Sequence, residues 1–191
     1  MMKKLYDEFP YIEGEEIILK KMTTDDVGAL KKMVANENVY RYLPTFLFEL
    51  YDQDMEKAIY FSNTTAFEKR YGIFLGIYLK SDSCFCGIVE VYHYIPEERK
   101  VSLGYRLAEE YWGKGIATKA AALIIEYLYK NTDIEIIAAS HITENQQSGK
   151  VLEKLGFKRI AAGVEEKWGY KEGKIVDKWS LVKSDFHYNK K

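Results

Sequence analysis

The chain has 191 residues, 47% hydrophobic and 30% charged, a balance that excludes an intrinsically disordered chain and suits one domain of roughly 100–200 residues. Its 28 Lys and Arg against 29 Asp and Glu leave a net charge of −1, so no global field holds a polyanion and nucleic acid is not expected as a partner. No apolar run approaches the ~20 residues that span a bilayer, and the opening Met1-Met2-Lys3-Lys4-Leu5-Tyr6-Asp7-Glu8 acquires acids before the apolar stretch of a signal peptide could form. A cytoplasmic protein with no membrane partner is expected.

In chain order, residues 16–21 predict a first strand, and Thr23, Thr24, Asp25 and Asp26 supply capping side chains ahead of Val27, Leu30, Met33 and Val34 at helical spacing. Residues 37–50 hold Pro44 and the aromatics Tyr40, Tyr42, Phe46 and Phe48, a stretch suited to lining a pocket, and a second helix is expected from Asp52 to about Asn63. Residues 71–80, 85–94 and 100–107 then read as three strands, separated by Ser81-Asp82-Ser83 and Pro96-Glu97-Glu98-Arg99, which predicts an antiparallel meander. Cys84 and Cys86 stand one residue apart on what reads as a strand, facing opposite sides, so packing is expected of them and not a disulfide. His93, His141 and His187 show no paired ligand spacing, and no metal is expected.

After Leu107 the period changes. Ile116, Ala120, Leu123, Ile124, Tyr127 and Leu128 recur at helical spacing through Lys130, and residues 134–139 form a short apolar run, so strand, helix and strand predict a parallel crossover. Residues 143–155 read as a further helix, with Thr143 and Gln146 at capping-box spacing and Gly156 placed to end it. Residues 157–161 and 175–182 complete the set as strands around a turn.

One segment carries chemistry by its order. Residues 103–118 run from a strand through Trp112-Gly113-Lys114-Gly115 into a helix. A helix's first turn has backbone N–H groups without internal partners, its dipole favours anions, and glycines let phosphate oxygens approach the main chain. A plain strand-to-helix turn satisfies the same residues, and neither GxxxxGK[ST] nor GxGxxG is present here. Glu90, inside the apolar run Gly87 to Tyr92, is a second candidate: a carboxylate on a central strand either borders a pocket, where it serves as a base, or lies on an exposed face of the sheet.

LGYRLAEEYWGKGIATKA (103–120), followed by ENQQSGKVLEKLGFKRI (144–160), resembles the GCN5-related N-acetyltransferase (GNAT) superfamily and, within it, the ribosomal-protein N-terminal acetyltransferase branch. The resemblance implies an α/β (α+β) fold: a central mixed, mostly antiparallel twisted sheet of about six to seven strands flanked by about four helices, a single domain over 1–191 with its core at about 16–183. It implies acetyl-CoA as co-substrate, with the pyrophosphate held by the backbone at Trp112, Gly113, Lys114, Gly115, Ile116 and Ala117. Glu110 stands where the family has Gln or Arg, so main-chain amides are expected to carry that contact. The backbone at Tyr105, Arg106 and Leu107 would pair with the pantetheine arm as an added strand, and the splayed end of that strand would offer N–H groups to a developing oxyanion. Asn145 matches the motif asparagine that helps hold the cofactor arm, a position that a plain helix N-terminal hydrogen bond also explains.

The resemblance likewise distributes the proton work. Leu152 occupies the position of the family's acid tyrosine, whereas Ser148 matches the branch's serine and is the candidate acid or hydrogen-bond donor for the thiolate, with a helix-surface serine as the alternative. Glu90 is the candidate base, although Ser102 replaces the acidic residue that precedes the Gly-Tyr pair in many relatives. The acceptor pocket would be walled by the first two helices and the late strands, with Tyr92, His93 and Tyr94 as further contributors. The implied reaction is acetyl transfer to a primary amine, a protein N-terminus or a small amine. A non-catalytic acyl-CoA-binding module and an antibiotic- or polyamine-modifying enzyme remain as alternatives, and a homodimer through sheet edges or exposed apolar faces stays open.

Overall fold

Residues 4–44, 54–168 and 173–187 are described in the computed structural model. They build one sheet from β1 (Ile12–Glu13), β2 (Ile17–Lys20), β3 (Gly72–Leu79), β4 (Phe85–Ile95), β5 (Lys100–Leu107), β6 (Ile136–Ile142), β7 (Lys158–Glu166) and β8 (Lys174–Val182). The spatial order is β1-β2-β3-β4-β5-β6-β8-β7. Every neighbouring pair is antiparallel except β5 with β6, as the strand-helix-strand crossover requires.

Period-two alternation sorts the side chains onto two faces. Ile73, Leu75, Val89 and Val91 point into one cluster, which α5 (Ile116–Asn131) and α6 (Gln146–Lys154) close with Ile124, Ile125 and Leu152. The alternate residues Phe74, Tyr78 and Ile88 face a second cluster with Leu30, Met33 and Ile59. That face is covered by α1 (Val27–Val34), α2 (Glu37–Tyr40) and α3 (Met55–Tyr60), the last running through a wide π-helical turn (Phe61–Thr65) into α4 (Ala66–Glu68). The mixed, mostly antiparallel sheet flanked by helices is the expected fold class. Its eighth strand, β1, is two residues long and hairpins onto β2 through Gly14, whose N–H donates to Ile17 O, too short a pairing to leave a periodic signal.

Several boundaries move. The helix expected from Asp52 to about Asn63 is capped by Asp54, which accepts from Lys57 N, and continues to Glu68; Asp52, like Phe46 and Phe48, lies outside the described residues. The helix expected over 143–155 starts at Gln146. Thr143 is not its cap, because its hydroxyl donates to Asp177 Oδ1 at 3.0 Å and Asn145 takes the N-cap instead. The strand expected over 157–161 runs on to Glu166, since two register shifts against β8 break the alternation that reveals a strand. Cys84 is exposed in the turn before β4, a correction to its reading as a packing residue on a strand, while Cys86 is buried, with its thiol donating to Cys84 O, and neither forms a disulfide.

Candidate active site

The sheet opens at its one parallel pair. β5 and β6 are in register only at Lys100, Val101 and Ser102, opposite Ile136, Ile137 and Ala138. Beyond that point each strand keeps only its outer neighbour: β5 stays on β4 as far as Leu107, and β6 stays on β8 as far as Ile142. Which β5 groups face the gap follows from the antiparallel pattern. Ala108 N donates to Cys86 O, so by alternation the main-chain groups of Arg106, Gly104 and Ser102 turn to β4, and those of Leu103, Tyr105 and Leu107 turn to the opening. Trp112 Nε1 donates to Leu107 O at 2.9 Å, closing the upper end of that edge.

The chain leaves β5 through a short turn, Glu109–Tyr111, and reaches α5 by way of Trp112-Gly113-Lys114-Gly115. Gly113 and Gly115 have φ of +72° and +76°, in the left-handed region where a side chain is strained, and a Cβ on either would meet nothing within 4 Å. The glycines therefore serve the backbone path and leave its outer surface open. Gly115 is the N-cap of α5 and brings no capping side chain. The first intrahelical bond runs from Lys119 N to Gly115 O, so the N–H groups of Ile116, Ala117 and Thr118 have no acceptor within the helix. Lys114 is exposed, its Nζ 5.5 Å from the Tyr111 ring.

Glu110 does not enter this cradle. Its own backbone N–H and Lys32, 3.0 Å away on α1, hold its carboxyl below the usual range. Glu109 accepts from Asn36 Nδ2 and Asn38 Nδ2 of the α2 segment. Both acids are thus engaged by side chains of the first helices, with the Lys114 charge also acting on Glu110. Lys32, Asn36 and Asn38 carry no local signal for this role, since their partners lie more than seventy residues on.

On the other side of the gap, Asn145 caps α6: its side chain accepts from Ser148 N at 3.3 Å. Ser148, in the first turn, has its Oγ 2.9 Å from Tyr105 Oη, and that phenol also lies 3.2 Å from Ser148 O. The side chain of Tyr105 therefore reaches across from β5 to α6. Burial pushes its phenol up to about 12, with the Ser148 bond acting in the opposite sense. Tyr105 enters the sequence reading only through its backbone, and its hydroxyl contact is 43 residues distant. Leu152, where the acid tyrosine would stand, is buried in the core.

Glu90 and Arg106 meet on the opposite face, beneath α1 to α3. Arg106 Nη1 donates to both Glu90 oxygens at 3.2 Å, with side-chain exposures of 2% and 10%. Glu90 is therefore buried and ion-paired, not on an exposed face. Gly104 makes room for it, since a Cβ there would come within 2.7 Å of Glu90 Oε1. Nearby, burial and then the charges of Glu90 and Glu166 raise the phenol of Tyr92 above its ordinary range. His93 has φ of +54° where β4 slips register on β5. Tyr40 packs on the second cluster, and Tyr42 lies under Arg41. Among the described residues, no cluster of three or more His, Cys, Asp or Glu could hold a metal, and no helix is long and apolar enough to cross a membrane.

A sheet that parts at its parallel pair, with an uncapped helix entered through two left-handed glycines beside the gap, is the architecture of an acyl-CoA-dependent transferase. The acetyltransferase (GNAT) domain model matches residues 16–158, and the chain belongs to that family. It is 27% identical over 179 residues to the uncharacterized N-acetyltransferase YoaA of Bacillus subtilis (strain 168), covering 92% of this chain and 98% of that one. RimL, a ribosomal L7/L12 α-N-protein acetyltransferase solved with coenzyme A, superposes with a TM-score of 0.76 at 16% identity, covering 91% of this chain and 98% of RimL. Spermidine N-acetyltransferase from Vibrio cholerae, solved with CoA and spermine, gives 0.70 at 18% identity, covering 90% and 98%. The chain is an acetyl-CoA-dependent N-acetyltransferase, and acetyl-CoA is its co-substrate.

Proposed function

We propose that the acceptor is a primary amine presented as a protein N-terminus or as a small amine without dense positive charge. The observation that carries this reading is the state of the carboxylates on the acceptor-side face: Glu90 is paired with Arg106, and Glu166 with Lys178 at 2.5 Å. A polycation needs uncompensated acids to offset its desolvation, and these two are already neutralised.

Bound acetyl-CoA supplies a thioester whose acetyl carbon an amine can attack. The gap-facing main chain of β5 suits the pantetheine arm, so Tyr105 and Leu107 are assigned to it; Arg106, expected to share that role, has its main-chain groups turned to β4 and lies between them without facing the gap. The uncapped turn Trp112, Gly113, Lys114, Gly115, Ile116 and Ala117 is assigned to the pyrophosphate. Asn145 holds the first turn of α6 in place, and Ser148 faces the thiol end. Glu90 takes the amine proton: a carboxylate has about four acceptor sites, and Arg106 occupies one on each oxygen while fixing their direction.

The test is free-thiol release from acetyl-CoA against peptides with varied N-termini, uncharged small amines, polyamines and aminoglycosides, with acetyl-CoA binding followed by calorimetry. Release with peptides or simple amines supports the reading. Release confined to polyamines or aminoglycosides overturns the acceptor assignment.

A further inference from the structure

We propose that Tyr92 is a specificity-determining residue on the acceptor side: its phenol donates a hydrogen bond to a carbonyl oxygen three bonds from the amine that Glu90 deprotonates. This rests on the assignments of Glu90 and of the acceptor made above, and it selects an aminoacyl group over an amine on a plain alkyl chain.

The strand register sets the two side chains around the place where the sheet parts. Glu90 and Tyr92 are two residues apart on β4, so they share a face and stand roughly 7 Å apart along the strand. Glu90 lies opposite Gly104 and Tyr92 opposite Ser102. Ser102 is the last β5 residue paired with β6, which puts Tyr92 at the final closed level and Glu90 just inside the opening. On its other side Tyr92 faces Gly72 of β3, so neither cross-strand neighbour is large enough to cover the ring. It keeps 37% of its surface exposed, whereas Glu90 keeps 7%.

The hydroxyl is uncommitted within the fold. Tyr78 donates to Asp26 Oδ2 at 2.6 Å and Tyr129 to Leu181 O at 2.8 Å, but Tyr92 Oη has no hydrogen-bond partner among the described residues. Burial, then the charges of Glu90 and Glu166, hold its proton in place, so at neutral pH it is a donor and not a second base. In an aminoacyl group the amine nitrogen and the carbonyl oxygen are joined through N–Cα, Cα–C and C=O. An amine within hydrogen-bond reach of Glu90 therefore brings that carbonyl toward Tyr92. A plain alkyl amine, or one end of a polyamine, offers no acceptor there and leaves the hydroxyl unmatched.

The experiment is thiol release from acetyl-CoA by the full chain, with the amides of alanine, serine and methionine, each beside the amine in which a methyl group replaces the carboxamide. Tyr92→Phe is expected to lower kcat/KM for the amides about tenfold more than for the matched amines. An equal loss on both kinds of acceptor, or none on the amides, overturns the role of the hydroxyl and leaves the acceptor class standing. Release by the unaltered protein with the amines but not the amides overturns it as well, and release with neither overturns the acceptor class and this inference together. If only the amides react, a loss of about tenfold at unchanged acetyl-CoA affinity by calorimetry supports the proposal, and no loss overturns it. Removing a hydroxyl without a partner among the described residues should leave the urea midpoint where it was; a lowered midpoint would assign the hydroxyl to the fold instead.

Discussion

With side-chain exposures of 2% and 10%, Arg106 and Glu90 have almost no water to replace a lost partner. Glu90→Ala is expected to cost about 3–5 kcal/mol, because it removes the carboxylate that both Arg106 Nη1 hydrogen bonds reach in a buried ion pair, and the measurement is the urea midpoint. Glu90→Gln keeps an oxygen acceptor and should cost less. That milder variant also tests the base assignment: release of thiol should fall about 100-fold or more while the protein stays folded, and an undiminished rate would end it. The sequence showed an acid inside an apolar run but not its neutralisation. Arg106 reaches Glu90 diagonally across the β4–β5 register, in which Glu90 itself faces Gly104, and registers are not visible in local spacing. The Tyr105–Ser148 contact escaped for the same reason, since it joins a strand to a helix three elements later.

At the scale of elements, the glycine turn was the most legible part. Glycine, lysine and glycine before an apolar helical period announce a helix start, and α5 begins at Ile116. The start of α6 was misread although the spacing of Thr143 and Gln146 fits a capping box, because Asp177, from a strand formed much later, takes the Thr143 hydroxyl. For the turn itself, backbone strain and charge separate by comparing two variants. Gly113→Ala places a side chain at φ +72° and should cost about 1–2 kcal/mol of stability, with open space beyond it and little change in acetyl-CoA affinity. Gly113→Glu carries the same strain and adds a carboxylate beside amides assigned to phosphate, so it should weaken binding about tenfold further. Equal affinities for the two variants, measured by calorimetry, would remove the turn from the cofactor site.

Over the whole molecule, the local meander of β3, β4 and β5 was readable to within a residue or so, because alternating apolar residues bury on two faces. The insertion of β8 between β6 and β7 was not, since it joins segments that no local pattern relates. Asp177 holds that distant corner together. Its Oδ1 accepts from Thr143 Oγ1 and from Gly163 N, both at 3.0 Å, and its Oδ2 from Arg159 at 3.3 Å. One carboxylate thus links β8, the bulged β7 and the segment leading to Asn145 and Ser148. Burial alone would raise its pKa, but the Gly163, Thr143 and Arg159 hydrogen bonds and the nearby His141 outweigh it and leave the value lowered. A carboxyl lowered on folding stabilises fully above its unfolded value, near 3.9, and that contribution is lost as pH falls through the folded value. Asp177→Asn should therefore unfold at lower urea than the unaltered protein at pH 7. Below about pH 4 the two midpoints should converge, because protonation then imposes on the carboxyl what the substitution imposes at every pH. A gap that stays constant from pH 7 to pH 3 would mean that the charge of Asp177 does not hold this corner, and that its shape alone does.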